Sequence, residues 1–588
     1  MEAKERPLGF LLLEGKIIIP FFQRTYVWNK DNWDELLSEF QDITKRNNFL
    51  GAIILKQLPA VSGEPKKLEV IDGQQRLTTL SILLKALYDS LSDEDKSTVK
   101  NNVWPILFYK KDAFGREEIR IEHSNVDSEA YKKIMNSEIS KLDSINGNFH
   151  RILQCYKFFR EKIHEMEKNR KKELLNRILD NENKMLVIID LDENDDEQSI
   201  FDTLNTAGIR LTAAEIIKNV LYKKYIELSN KEKAIDYYNR TWADTFLKNE
   251  ETVKYWETER QTGRLKRDNI EILLHSFGVI KGFYDPDKHT LTDLSKLYKE
   301  EVRKINDIND LESFINEIIE YAKIYREKIL TFSSDVSFSF EDSTTRLLHI
   351  LEVLEISTFH PFILYMFKKY QQDENQLQQV FHNLEKYMIR NMLSKNTEIK
   401  NYNKLCKQFI DDERNLERIL QDNKFEGNVE RGLEKISNKE ASLLLFWVEL
   451  YRRYKGNYDL KELKYDYSLE HIMPQKWEEF WSLVEVPHPK KVQLSEEEQK
   501  KDRNDKVYWI GNMTLLRSKL NSSLRNYDFE RKMNGEKRKK GIKDYADLSI
   551  TKDDIVTPYN NGDRTWNEEK IEQRTENLKR EIKEIWGN

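Results

Sequence analysis

The sequence predicts an α+β fold that is mostly helical, and three observations carry that prediction. The chain has 588 residues, more than one core holds, so about three or four domains are expected. Charged residues make up 34% and there are only 19 glycines, a composition that favours solvated helices over turn-rich sheets. Short β-like runs cluster near the start, and helical periodicity dominates afterwards.

The regions follow in order. Residues 1–226 mix strands and helices. Ile17-Ile18-Ile19, Gly51-Ala52-Ile53-Ile54-Leu55 and Leu68-Glu69-Val70-Ile71 read as strands. Leu77 to Leu91 reads as a helix, with apolar residues at Leu80, Leu83, Leu84 and Leu87. Residues 98–180 are polar and helical in pattern and read as an insertion. Met185-Leu186-Val187-Ile188-Ile189 reads as a buried strand, and a helix should begin at Thr212, with Glu215 completing a capping box. Residues 227–440 predict an all-helical middle without a catalytic motif or repeat. His275, His349, His360 and His382 are scattered through it and read as core or surface residues rather than ligands. Residues 441–588 form the third region.

Charge and cysteines narrow the function classes. A net charge of −6 excludes a basic nucleic-acid coat, so any such contact must come from local patches. Cys155 and Cys406 offer neither zinc-ligand spacing nor a disulfide framework, which fits a reducing compartment. Met1 to Arg6 lacks the apolar core of a signal peptide, and no apolar run approaches the ~20 residues of a membrane span. The expectation is a cytoplasmic protein with no membrane partner.

The densest chemistry lies near the end. Leu469-Glu470-His471-Ile472-Met473-Pro474 is followed by Gly511-Asn512-Met513-Thr514-Leu515-Leu516 and then Asn521. That order has the layout of an HNH-type nuclease site. Glu470 and His471 are adjacent, so on a strand they face opposite ways, and Pro474 should end that strand. His471 titrates near neutrality when unperturbed, so it suits a general base taking a proton from water. Asn512 would orient His471 through a hydrogen bond. Glu470 and Asn521 would be oxygen ligands of one Mg²⁺ or Mn²⁺, an ion that keeps several waters and so needs few protein ligands. From Lys501 to Lys543 there are 13 Lys and Arg against 5 Asp and Glu. Arg517, Lys519, Arg525 and Lys532 are the cations expected to hold a DNA backbone there. Trp477, Trp481 and Trp509 read as packing residues. The plainer alternative is a structural histidine beside a proline.

A second motif lies near the start. Val70-Ile71-Asp72-Gly73-Gln74-Gln75-Arg76-Leu77-Thr78-Thr79-Leu80 reads as strand, tight turn and helix, and a helix N-terminus suits phosphate. Gly73 lets the backbone approach closely, Arg76 can fork onto phosphate oxygens, and Asp72 can hold a metal or position water. Gln74, Gln75 and Thr78 add neutral polar groups. Upstream, Arg24 sits among aromatics; downstream, Asn205 lies in a turn before Lys218 and Asn219. An ordinary Asp-Gly turn and helix start remain the alternative, and no Walker A loop is present.

Together these segments resemble a known family. Ile19-Pro20-x-Phe22-Gln23-Arg24-x-Tyr26-Val27-Trp28, Phe49-Leu50-Gly51, the Val70–Leu80 run and Leu204-Asn205-x-x-Gly208-x-x-Leu211-Thr212 resemble the GmrS half of GmrSD-type restriction enzymes. The His-Ile-x-Pro and Gly-Asn-x-Thr-Leu-Leu segments resemble the GmrD half. The resemblance covers the two ends of the chain, as in a single-chain fusion of both halves, and BrxU and SspE are built similarly.

It implies a ParB- or sulfiredoxin-like N-terminal domain that binds and hydrolyses ATP, GTP, CTP or UTP. In ParB-like proteins a Gly-Glu-Arg-Arg turn cradles the phosphates, and Gly73-Gln74-Gln75-Arg76 sits in a similar strand-turn-helix setting. It also implies a C-terminal HNH-like (ββα-metal) nuclease acting in phage defence on DNA carrying glucosylated hydroxymethylcytosine. The chain departs from the strict HNH pattern at Asn521, where the last histidine often stands. The nearest rival is an SspE-like phosphorothioate-sensing NTPase and nickase. Others are a DNA-binding regulator with an inactive nuclease domain and a nucleotide-sensing toxin attacking RNA. Cutting both strands with single-metal sites would call for a homodimer.

Overall fold

The computed structural model describes residues 2–41, 49–59, 65–111, 115–123, 125–136, 150–191, 212–262, 265–329, 332, 335–395, 402–456, 458–517, 526–536 and 540–587. The chain divides into two compact units, Met1–Tyr238 and Asn239–Asn588. It is α+β and mostly helical. Among the described residues no helix is long and apolar enough to cross a membrane.

The first unit is built on a mixed six-stranded sheet. Its strands are β1 (Glu2–Arg6), β2 (Lys16–Ile18), β3 (Gly51–Gln57), β4 (Lys67–Asp72), β7 (Ile121–Glu122) and β8 (Leu186–Leu191), in the order β1-β8-β3-β4-β2-β7. β5 (Phe108–Lys110) and β6 (Glu117–Ile119) pair separately. β2 runs parallel to β4 and β7, β3 runs antiparallel to β4, and β3 runs parallel to β8. Alternation explains both faces. Ile53, Leu55, Leu68, Val70, Leu186 and Ile188 join the main core, while Ile54, Ile189 and Leu191 form a second cluster.

Helices α1 (Lys30–Gln41), α2 (Gln74–Asp89), α3 (Asp93–Leu107), α4 (Asn125–Met135), α5 (Arg151–His164), α6 (Lys168–Leu179) and α7 (Ala213–Leu228) belong to this unit, which ends in a further helix, Lys231–Tyr238. α2 is buried nearly all round, which its run of Leu, Thr, Ser and Ala allows. Its Lys85 is buried with Asp89 at 2.6 Å, and Asp89 also accepts from Tyr156 at 2.7 Å. α7 begins as its sequence predicts, with Thr212 and Glu215 forming a reciprocal capping box. The stretch 98–180, read from its polarity as an insertion, supplies edge strand β7. It also sends Val103, Ile106, Ile121, Tyr131, Cys155 and Phe159 into the core shared with α2. Its polar residues are the outer faces of helices whose inner faces are apolar.

The second unit is largely helical. The expectation of an all-helical middle is corrected by an antiparallel hairpin, β9 (Glu259–Thr262) with β10 (Leu265–Asp268), and by β11 (Ser337–Phe338), which pairs with β12 (Leu463–Lys464). The hairpin strands are polar, so no apolar alternation announces them. Asp268 ends the hairpin and caps α8 (Asn269–Lys281), and Arg260 donates to Asn269 at 2.6 Å. α9 (Asn438–Lys455) is the hub of a core that includes Trp447, Phe446 and Trp586. Against it lies the hairpin-like pair β13 (Tyr467–His471) and β14 (Met513–Arg517). α10 (Glu496–Lys506), α11 (Phe529–Asn534) and α12 (Glu568–Trp586) complete this end of the chain.

Candidate functional site

β13 ends at His471, three residues before Pro474, and pairs Glu470 with Thr514 and His471 with Met513. The two neighbouring side chains have different surroundings. Glu470 is buried and accepts from Lys532 Nζ at 2.5 Å, and the same ammonium donates to the His471 carbonyl at 2.7 Å. Burial pushes the Glu470 carboxyl up and the Lys532 ammonium down, with each partner partly offsetting the other. His471 is lowered to about 4, by burial first and by the Lys532 charge second, so it is neutral near pH 7. Its Nε2 is buried and has no hydrogen-bond partner among the described residues. Its ring lies 6.5 Å from that of the exposed Tyr508.

Asn512 does not bond to the His471 ring, which corrects the role expected for it. Its Oδ1 accepts from Met473 N at 2.9 Å and Trp566 Nε1 at 3.1 Å, and its Nδ2 donates to Met473 O at 2.8 Å and Val507 O at 3.0 Å. With every valence of the amide in use, Asn512 pins the backbone two residues beyond His471 and fixes where β13 ends. The neighbouring Gly511 is required by α12: a Cβ there would overlap Ile571 O and Thr575.

The basic segment is less available than its composition suggests. Lys532, expected on a DNA backbone, is 1% exposed and holds Glu470. Arg503 is buried against Glu568, and Lys506 against Asp502 at 2.6 Å. Arg517 is exposed but paired with Asp547 at 2.8 Å. Lys519, Asn521 and Arg525 lie outside the described residues. Trp477 and Trp481 are buried, and Trp509 packs against the same core. The Lys532–Glu470 contact spans 62 positions and carried no sequence signal beyond a nearby positive charge.

In the first unit the second motif forms the predicted strand, turn and helix. Gly73 has φ +88 at the end of β4, where a side chain would be strained and would crowd Ile53. Gln75 is buried and grips the preceding loop: Nε2 donates to Thr25 O at 3.1 Å, and Oε1 accepts from Val27 N at 2.8 Å and Trp28 N at 3.3 Å. Gln74 is buried too, and its Nε2 donates to Arg24 O at 2.8 Å. Thr78 is 1% exposed and bonds to His123 at 3.1 Å. These three are expected to contact nucleotide; the polar groups of Gln75 and Thr78 face inward, where they hold the 25–28 loop and bond to His123.

Arg76 donates to Ala52 O at 2.8 Å and covers Gly51, where a Cβ would overlap the guanidinium. That close approach explains the Phe-Leu-Gly segment. Burial lowers Arg76, and Asp72 partly restores it. Arg24 and Asp72 are half-buried, and Asn205 lies outside the described residues. Sequence reasoning left Lys218 out of the site. It is 5% exposed on α7 and lowered to about 8, by burial first, with Glu215 raising it and Arg24 lowering it further.

Two comparisons bear on identity. Residues 9–222 match the N-terminal domain of the GmrSD restriction endonuclease, and residues 367–581 match the C-terminal domain of the GmrSD restriction endonucleases. An uncharacterised protein of Methanocaldococcus jannaschii, MJ0686, is 26% identical over 272 residues, which is 40% of this chain and 42% of that protein.

Proposed function

We propose that this chain, which belongs to the GmrSD restriction endonucleases, is a nucleotide-regulated DNA endonuclease of phage defence that cleaves DNA with modified cytosine. The observation that carries this reading is His471: neutral, at the end of β13, with a buried and unpartnered Nε2 among the described residues. A neutral imidazole nitrogen can accept a proton from water as the oxygen attacks phosphorus and the bond to the leaving oxygen breaks. Asn512 holds the strand end, and Lys532 holds Glu470 and the His471 carbonyl, so the base is positioned from both sides. The order of two antiparallel strands and a following helix, β13, β14 and α11, supports an HNH-like reading.

Hydrolysis at such a site calls for Mg²⁺ or Mn²⁺. Among the described residues no three His, Cys, Asp or Glu side chains converge. Glu470 would supply one hard oxygen, its Oε1 also accepting from Lys532, with Asn521 and waters to complete the set; the ion, when bound, would neutralise charge on the leaving oxygen. Two copies of the chain would serve the two strands of a duplex.

The test is cleavage of phage DNA carrying glucosylated hydroxymethylcytosine against unmodified plasmid, with either metal, with and without nucleoside triphosphate. Cutting of the modified DNA alone, lost in His471→Ala, is expected. Undiminished cutting by His471→Ala would refute the assignment of the base.

A further inference from the structure

α7 and the N-terminus of α2 approach one loop, residues 21–28, from two sides. From α7, the Asn219 amide, oriented to satisfy its neighbours, donates to Phe22 O at 3.0 Å and Glu215 O at 3.1 Å, and Tyr222 meets the Phe21 ring at 6.4 Å. From α2, Gln74 Nε2 donates to Arg24 O. Two polar groups at this junction are left over. Lys218 is 5% exposed and has no hydrogen bond or ion pair among the described residues. Gln74 Oε1 is buried and likewise unpartnered among them.

A buried cation is disfavoured unless an anion compensates it. The charges acting on Lys218 are Glu215 and Arg24. Glu215 already accepts from Thr212 N at 2.8 Å in the capping box, and Arg24 is a second cation. Two cations at one corner, one of them buried without a hydrogen bond or ion pair of its own among the described residues, are an arrangement that an anionic ligand would stabilise. Elsewhere in this unit the buried Lys85 does have its carboxylate, at 2.6 Å, so an unpaired lysine is not how this fold treats its interior.

We infer that Lys218, with Arg24, forms an anion-binding corner of the first unit that takes the phosphate oxygens of a nucleoside triphosphate. The inference rests on the nucleotide-binding part of the reading above, and it adds a residue on α7 to a site otherwise read around α2.

The experiment is calorimetric titration of the full chain with tripolyphosphate and with ATP, GTP, CTP and UTP, for the wild type, Lys218→Met and Arg24→Gln, with a thermal melt of each apo protein. Lys218→Met keeps the length of the side chain and removes its charge. The expected result is binding by the wild type that weakens at least about tenfold in both variants, as for loss of a charge-assisted hydrogen bond, with the apo melting point of Lys218→Met unchanged or raised. If Lys218→Met does not fold, Arg24→Gln carries the test. Nucleotide binding that both variants retain in full overturns the inference and leaves the nucleotide reading standing. Tripolyphosphate binding that the variants lose, with nucleosides adding nothing to affinity, keeps the anion corner and removes the nucleotide reading. No binding of any of these anions overturns both.

Discussion

The two motif-bearing sites differ in which of their polar groups are already in use. In the first unit, the conspicuous residues of the turn motif face inward: Gln75 fastens the 25–28 backbone, Thr78 bonds to His123, and Arg76 covers Gly51. In the second unit, Asn512 and Lys532 do the fastening, while His471 keeps a nitrogen unpartnered among the described residues. A motif therefore mixes residues that build a site with residues that act in it. Hydrogen-bond saturation separates the two kinds: a side chain with every donor and acceptor used builds, and a buried one with a group left over is the candidate to act.

The contrast breaks most sharply at His471. His471→Ala should lower DNA cleavage by about 10²–10⁴-fold, the usual worth of a general base, with DNA binding retained in a gel-shift assay. If binding falls together with cleavage, His471 belongs with the builders and the division fails. Next is Lys532→Met, which leaves Glu470 as an uncompensated buried charge. Denaturant unfolding should show a loss of about 3–5 kcal/mol, and the double variant with Glu470→Gln should recover part of it. A loss below about 1 kcal/mol would place the pair on a solvated surface, contrary to the 1% exposure of Lys532. Gln75→Leu removes the clamp on the 25–28 loop and orphans the Val27 and Thr25 backbone groups. About 1–3 kcal/mol of stability should go with it, read by the same unfolding, and hydrogen exchange should speed up at Val27 and Trp28.

Much of this architecture was legible because it is local. Strands β3, β4 and β8 announce themselves as short apolar runs between breakers, and Thr212 with Glu215 marks the start of α7 at one residue's precision. The β9–β10 hairpin was not legible, since Glu259-Arg260-Gln261-Thr262 has no apolar face to alternate. In the sites, residue types near a motif were visible and their destinations were not. Lys532 looked like a phosphate contact because it lies in a basic stretch, and its partner is 62 positions away on another element. Asn512 had the right type and neighbourhood, yet which backbone it would grip depends on how residues 472–512 fold back. Lys218 is visible in the sequence beside Asn219, but an amphipathic helix gives no sign that one of its lysines lacks a hydrogen bond or ion pair.

The smallest effect concerns His123, whose Nε2 bonds to Thr78 while its Nδ1 is buried without a hydrogen-bond partner among the described residues, which makes it a useful counterpart to His471. Burial, with a smaller push from His150, lowers it to about 3, and its Nε2 engages Thr78. In the unfolded chain a histidine titrates near 6.5. Below that pH the unfolded state binds a proton that the folded state refuses, so the contribution of His123 is fully present above pH 6.5 and is lost as pH falls toward about 3. Between pH 7 and 5.5 the loss amounts to about 1 kcal/mol. His123→Gln, which cannot titrate, should flatten the pH dependence of unfolding over that interval by this amount while lowering stability at pH 7. A wild-type slope unchanged by the substitution would mean that His123 titrates alike in the folded and unfolded chain, contrary to the lowering that its burial produces.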